Sequence, residues 1–246
     1  MTARLTGQIG VVTGAGRGLG REIATALAAE GMSLLVLSRT GVEVRALAEE
    51  LHTGYGVKIL PAAIDIADPE AVDRVVLHAE QHLGTVDLLV NNAARIESTE
   101  RRFWESDPAE LWSVVETNLR GPILLTRALL PPMIQRGHGR VITIASRARA
   151  ATETGTYTGY AVSKRALGVL TQSLVGPLHG TGVVVLDVLP GLVKTDLTMS
   201  MPVWADRPDT VWDSASATAR VVVAAACGQY DERSGSVLDA PSLDAD

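Results

Sequence analysis

Tyr160 and Lys164 place a phenol and an ammonium four residues apart in the run Tyr160-Ala-Val-Ser-Lys164. On a helix that spacing stacks the two side chains on one face, with Cβ atoms roughly 5–6 Å apart. A cation held there favours phenolate over phenol and draws the tyrosine below its reference pKa of about 10. Such a tyrosine can exchange a proton with a substrate oxygen near neutral pH. Ser146, fourteen residues earlier, offers a hydroxyl to the same oxygen. Tyrosine and lysine also fall four apart by chance on many solvated helices, so the pair takes its meaning from what surrounds it.

The elements that must position these groups read as alternating strands and helices. Residues 9–13 form a short apolar run, residues 21–30 a helix with Ile23, Ala24 and Leu27 inward, and residues 34–37 a second strand. That order implies a crossover and parallel pairing. Between the first strand and the helix lies Thr13-Gly14-Ala-Gly16-Arg17-Gly18-Leu-Gly20. Glycines let the backbone approach a phosphate closely, and a helix start offers unpaired N–H groups and a positive dipole end.

The spacing is Thr-Gly-x-x-x-Gly-x-Gly rather than Gly-x-Gly-x-x-Gly. With Tyr-x-x-x-Lys, it resembles the short-chain dehydrogenase/reductase family. The resemblance implies that Gly14, Arg17, Gly18, Leu19 and Gly20 line a dinucleotide cofactor. An acidic side chain about 20 residues further on would bond a ribose 2′-hydroxyl. This chain has Ser38-Arg39 there instead, and a guanidinium suits a 2′-phosphate. Arg17 adds a second cation on the same side, so the expected cofactor is NADP(H), although both arginines can also be read as solvated surface charge.

Further residues follow from the resemblance alone. Asp65-Ile66 contacts adenine, although a lone Asp after a strand is also an ordinary cap. Asn91-Asn92-Ala93-Ala94 ends the fourth strand, with Asn91 and Ala93 at the cofactor; the family's usual Asn-Asn-Ala-Gly makes Ala94 a departure. Asn118, in an expected long helix from residue 111, holds a water that links Lys164 to solvent. Pro190, Gly191, Val193 and Thr195 hold the nicotinamide carboxamide, and Tyr160 and Lys164 also meet the nicotinamide ribose. Asn118, Ser146, Tyr160 and Lys164 thus form the implied catalytic set, with a homodimer or homotetramer as the implied assembly. The terminal Asp239-Ala-Pro241 replaces the family's Asp-Gly-Gly and leaves the contacts of that end open.

The expected fold is α/β: a single-domain, Rossmann-like, doubly wound parallel sheet of about seven strands, flanked by helices on both faces. One dinucleotide-binding and catalytic domain spans residues 1–246, with a variable substrate loop at about 196–212. Met199 and Trp204 there suit either a lid or core packing under a loop. Pro177 is expected to kink or shorten the helix that begins at Tyr160.

Composition narrows the function. A net charge of −6 and few aromatics disfavour nucleic acid. No apolar run approaches 18 residues and the start lacks an apolar signal core, so a membrane partner is not expected and the cytoplasm is. Cys227, alone in the chain, reads as a small buried hydrophobe. His78 and His82 lie four apart, but His-Ala-Glu-Gln-His is not His-Glu-x-x-His, and no catalytic metal is expected. Arg95, Arg147 and Arg149 read as cleft-rim charge or as contacts for an acidic substrate.

The expected reaction is hydride transfer between nicotinamide and a small-molecule carbonyl or secondary alcohol, as ketoreduction, with alcohol oxidation as the reverse. A sugar epimerase or dehydratase would carry a larger substrate domain. A non-catalytic NADP-binding sensor would tend to lose Tyr160 or Lys164.

Overall fold

Strands apolar toward both faces need cover on both sides of their sheet. The computed structural model of the protein describes residues 3–148 and 154–243. Strands β1 (Ile9–Thr13), β2 (Ser33–Ser38), β3 (Ile59–Ala63), β4 (Leu88–Asn91), β5 (Gly139–Ile144), β6 (Val183–Leu189) and β7 (Val237–Asp239) form one sheet. Their order is β3-β2-β1-β4-β5-β6-β7, and every pairing is parallel. Strand order reverses between β1 and β4, where an open α/β sheet leaves a crevice beyond its strand ends.

Helices α1 (Gly18–Ala29), α2 (Gly41–Tyr55), α3 (Pro69–His82), α4 (Pro108–Val115), α5 (Gly121–Arg136) and α6 (Thr158–Leu178) carry most of the remaining chain. Two short turns, α7 (Asp196–Met199) and α8 (Pro202–Ala205), precede α9 (Ala215–Ala226) and α10 (Ala240–Leu243). On one face α1, α2 and α9 bury Ile23, Leu27, Leu47, Leu51 and Val222 against Val12, Val36, Val90 and Ile142. On the other, α3, α5 and the end of α6 bury Val72, Val76, Leu125, Leu129 and Leu178 against Val11, Leu35, Leu89 and Val185. The edges are short or interrupted: β3 contains Pro61, which an edge strand tolerates, and β7 has three residues.

Local chemistry sets the boundaries. Asp68 caps α3 by accepting from the N–H groups of Glu70 and Ala71, with Pro69 in the first turn. Gly56 stops α2 at φ 70°, a left-handed conformation that favours glycine. The first helix begins at Gly18 rather than residue 21, because the glycine loop itself turns into it. Helix α9 begins at Ala215, where Ser214 caps it by accepting from the Ser216 N–H. Pro177 sits in the last turn of α6, which ends at Leu178. Cys227 is half-buried against the α1/α9 core rather than fully buried, and burial pushes its thiol up.

The long helix expected from residue 111 is divided. A π-turn, Glu116–Arg120, separates α4 from α5. Pro122 has no N–H to offer the Asn118 carbonyl four residues back, so a regular α-helix loses a bond there. The widened turn presents Asn118, fully buried, to the loop after β4.

Asp87 pins three elements at the opposite end of the sheet. Its Oδ2 accepts from the Ile9 N–H at 2.8 Å, and its Oδ1 accepts from Arg136 Nη1 at 2.8 Å. Arg136 Nη2 also donates to the Val86 carbonyl at 2.6 Å. Asp87→Ala strands a buried N–H and a half-buried guanidinium together. It should cost about 2 kcal/mol or more, read as a lower urea midpoint with an unchanged m-value.

Candidate active site

Beyond the carboxyl ends of β1, β2, β4, β5 and β6 lies a cavity of about 640 Å³. Gly14, Arg17, Gly18, Leu19, Gly20, Ser38, Arg39, Asp65, Ile66 and Ala93 line one part of it. Ser146, Tyr160, Lys164, Pro190, Gly191, Val193 and Thr195 line the rest. Of the residues expected at the site, all but Asn91 and Asn118 therefore reach one cavity.

Gly20 shows why the loop is glycine-rich. A Cβ there would lie 2.2 Å from the Gly14 carbonyl and 2.4 Å from Asn92 Nδ2. The loop is thus held against α1 with no room for a side chain, and the helix start carries no side-chain cap. Unpaired N–H groups at such a start can hold a phosphate. Asn92 ties this loop to the end of β4, donating from Nδ2 to the carbonyls of Thr13 at 2.9 Å and Gly14 at 3.3 Å. Thr13 Oγ1 returns the tie by accepting from the N–H groups of Asn92 and Ala93, each at 2.9 Å. Asn91 instead faces α5, where its Nδ2 donates to Thr126 Oγ1. The asparagine at the cavity is Asn92, and strand alternation is the signal that separates it from Asn91.

At the far end of the loop, Arg17 Nη1 meets Asp196 Oδ2 at 2.7 Å, both well exposed. Arg17 therefore reaches toward α7, not toward Ser38 and Arg39 as expected. Glu43, at the start of α2, reaches the glycine loop and lines the cavity near Ser38. Asp65 accepts from the Ala67 N–H at 2.9 Å, so the carboxylate also makes the ordinary turn contact.

Ser146, Tyr160 and Lys164 sit where β5 ends and α6 begins. Ser146 lies two residues past β5, its Oγ accepting from the Ala148 N–H at 3.0 Å and hydrogen-bonded to the Tyr160 phenol. Lys164, 5 % exposed, donates from Nζ to the Ile144 carbonyl at 2.8 Å and lies 6.0 Å from the centroid of the Tyr160 ring. Burial pushes this ammonium down to about 8, and Asp187 opposes the shift. Tyr160 departs from the sequence expectation. Burial pushes its phenol up and only the Ser146 hydrogen bond draws it down, because the ammonium is turned to the Ile144 carbonyl rather than to the phenol oxygen.

Three contacts hold the start of α6. Tyr157, buried, precedes it at φ 56°. Glu97 Oε1 accepts from the Gly159 N–H at 2.6 Å, while its buried Oε2 has no partner among the described residues. Asn118 accepts from the Arg95 N–H at 2.7 Å through Oδ1. It donates from Nδ2 to the Arg95 carbonyl at 2.8 Å and to Ser163 Oγ at 3.0 Å. Its amide is thus spent on protein partners, and Thr117 lines the cavity in its place.

The remaining charges are mostly paired. The Arg95 guanidinium donates to Ser113, and Arg147 pairs with Asp239 at the cavity rim. Arg149 lies outside the described residues. Met201 and Trp204 are buried with Tyr157, and both line the cavity, whereas Met199 is exposed. His78 and His82 are exposed, their ring centroids 4.1 Å apart. Among the described residues, no group of three or more His, Cys, Asp or Glu gathers as a metal site, and no helix is long and apolar enough to cross a membrane.

The family description "short chain dehydrogenase" matches residues 8–206. The chain belongs to the short chain dehydrogenase family. A short chain dehydrogenase of Pseudocercospora fijiensis is 37% identical over 201 residues, 79% of this chain and 62% of that relative; the match thus spans less than two thirds of the fungal protein. An uncharacterized oxidoreductase of Staphylococcus aureus is 34% identical over 79% of this chain and 81% of its own length. The structure of L-sorbose reductase from Gluconobacter frateurii, complexed with NADPH and L-sorbose, superposes with a TM-score of 0.86 at 26% identity over 97% of both chains. As a member of the family, the chain is an oxidoreductase.

Burying Lys164 has a consequence for stability. Between pH about 8 and 10.5 the unfolded lysine keeps a proton that the folded one has released. The unfolded state then binds more protons, and the folded state gains as pH rises through that window. Against Lys164→Met, which cannot titrate there, the wild-type protein should gain stability between pH 8 and pH 10, read as urea midpoints of both proteins.

Proposed function

We propose that this dehydrogenase uses NADP(H) to transfer hydride between nicotinamide and a carbonyl or secondary alcohol, working as a ketoreductase. The observation that carries the reading is the convergence of Ser146, Tyr160 and Lys164 on the cavity lined by the glycine loop. The NADPH-bound sorbose reductase of similar shape supports it.

The residues present fit such a cofactor. The glycine loop, with Gly14, Arg17, Gly18, Leu19 and Gly20 lining the cavity at the uncapped start of α1, takes the pyrophosphate. Ser38 and Arg39 take the 2′-phosphate, with Arg39 its main cation because Arg17 pairs with Asp196. Asp65 and Ile66 take adenine, and Asn92 replaces Asn91 in shaping the wall beside Ala93. Tyr160 and Lys164 take the nicotinamide ribose, and Pro190, Gly191, Val193 and Thr195 take the carboxamide. The whole chain, residues 1–246, acts as one binding and catalytic unit, with residues 196–212 forming the substrate loop.

A reduced nicotinamide bound there supplies hydride to the carbonyl carbon. Ser146 donates a hydrogen bond that stabilises charge growing on the carbonyl oxygen. Tyr160 gives that oxygen its proton; burial holds the phenol in its protonated form while making it a weaker acid, and the Ser146 hydrogen bond opposes that shift. Lys164, its ammonium 6.0 Å from the Tyr160 ring centroid, would stabilise the phenolate left behind by turning from the Ile144 carbonyl toward the phenol oxygen. Asn118, bound to Arg95 and Ser163, fixes the π-turn that sets Thr117 at the cavity. Exposed Trp112, Val162 and Val169, on α4 and α6, support a homodimer or homotetramer. The single cysteine, without a disulfide partner, fits a reducing cytoplasm.

An NADPH-consumption screen against ketones, quinones and β-keto thioesters tests the activity. Tyr160→Phe should lower turnover by at least about a hundredfold while NADPH binding, read by fluorescence titration, stays within about twofold. Arg39→Ala should weaken NADPH by about tenfold or more and leave NADH nearly unchanged. Retained turnover in Tyr160→Phe removes the assignment.

A further inference from the structure

Asp187 is a buried carboxylate with no part in the reaction just described. It lies in β6, 3 % exposed, directly across from Thr143 of β5. Thr171 reaches down from α6 and donates to Asp187 Oδ1 at 2.7 Å. A Cβ on Gly168 would lie 3.6 Å from Asp187 Oδ2. Lys164, Gly168 and Thr171 are spaced i, i+4 and i+7, so one stripe of α6 lies over this carboxylate. The first member of that stripe sends its ammonium to the Ile144 carbonyl, one residue along β5 from Thr143. Neighbouring strands are only about 4.8 Å apart. The carboxylate and the ammonium therefore lie under the same helix, on adjacent strands, each cut off from water.

We propose that Asp187 is a positioning residue whose buried carboxylate keeps Lys164 in its ammonium form. The proposal rests on the ketoreductase reading for its effect on turnover, but the coupling between the two groups stands apart from that reading. Burial disfavours both charges, and each group favours the charged form of the other. Tyr160 is the other titratable side chain beside Lys164. Thr143 on β5, Thr171 on α6 and Asn118 in the π-turn bring no charge, and Arg140, further back on β5, is paired with Asp231. A carboxylate set behind the ammonium, rather than in contact with substrate, maintains the charge while leaving the cavity side of Lys164 free. Thr171 then serves the carboxylate, supplying the hydrogen bond that makes its ionised form tolerable in the core.

Asp187→Asn keeps the shape and an acceptor for Thr171 but removes the charge. The chain has three lysines, Lys58, Lys164 and Lys194, so ε-¹³C-lysine NMR resolves Lys164, with Lys164→Met assigning its signal. The Lys164 midpoint should fall by about one pH unit or more in Asp187→Asn. Coupling is reciprocal, so Lys164→Met should raise the Asp187 carboxyl midpoint read by ¹³Cγ NMR. This second arm decides the matter if Asp187→Asn does not fold. Midpoints that stay at their wild-type values overturn the proposal. With a carbonyl that the screen finds active, the alkaline limb of the pH–rate profile should move down with the Lys164 midpoint, and an unmoved limb overturns the link to turnover. A chain that reduces no carbonyl defeats the ketoreductase reading instead, and the two NMR titrations still judge the coupling.

Discussion

An ammonium removed from water is the interaction on which the site depends. Lys164 gives one hydrogen bond to the Ile144 carbonyl and lies at the face of the Tyr160 ring. An isolated charge in that position would lose its proton or reopen the site to solvent. Its position therefore has to be imposed by structure that is stable for other reasons. Helix α6 crosses the sheet above β5 and β6, and Leu167 and Leu178 anchor it in apolar surroundings. The polar contacts of Asn118, Glu97 and Thr171 fix its start and its sheet-facing side. The strands beneath, buried on both faces, resist the displacement that would relieve the charge.

Much of this architecture is legible in the sequence because its signals are local. Short apolar runs mark the strands, with Gly14 closing β1 and Pro190 closing β6, and Asp68-Pro69 and Gly56 mark helix ends. The glycine loop and the Tyr-Lys spacing are local too, and most residues drawn from them reach the cavity. The π-turn is less accessible. Pro122 is visible, but its effect depends on the helical register and on Arg95, 23 residues away, which the buried Asn118 must reach. Asn91 and Asn92 differ only in strand parity. Asn91 pairs with Thr143 and faces α5, so the next residue turns toward the glycine loop. The direction of the Tyr160 shift is illegible for a different reason. Spacing reports a nearby cation, whereas burial is the sum of many distant parts of the chain.

The charges around the cofactor end are divided rather than pooled. Arg17 and Asp196 join two segments 179 residues apart in sequence, and both ends are solvated. Such a pair contributes about 0–1 kcal/mol, too little to hold a loop closed by itself. Arg39 lines the cavity beside Ser38, while Glu43 reaches the glycine loop nearby. A cation and an anion on one rim make discrimination between phosphate and hydroxyl a difference of opposing effects, not the action of one arginine.

The same magnitudes decide what holds residues 196–212 in place. Met201 and Trp204 are 3 % and 9 % exposed and pack with Tyr157, against which Tyr160, Leu192 and Trp212 also lie. Burying a side chain of this size is worth about 1.5–3 kcal/mol, several times an exposed ion pair. The loop's resting position is therefore set by its apolar contact with the start of α6. Any substrate that displaces Met201 or Trp204 to reach Tyr160 must replace that contact with its own apolar surface. Access to the phenol and the fit of the substrate's body are thus one physical requirement, imposed by the same two side chains.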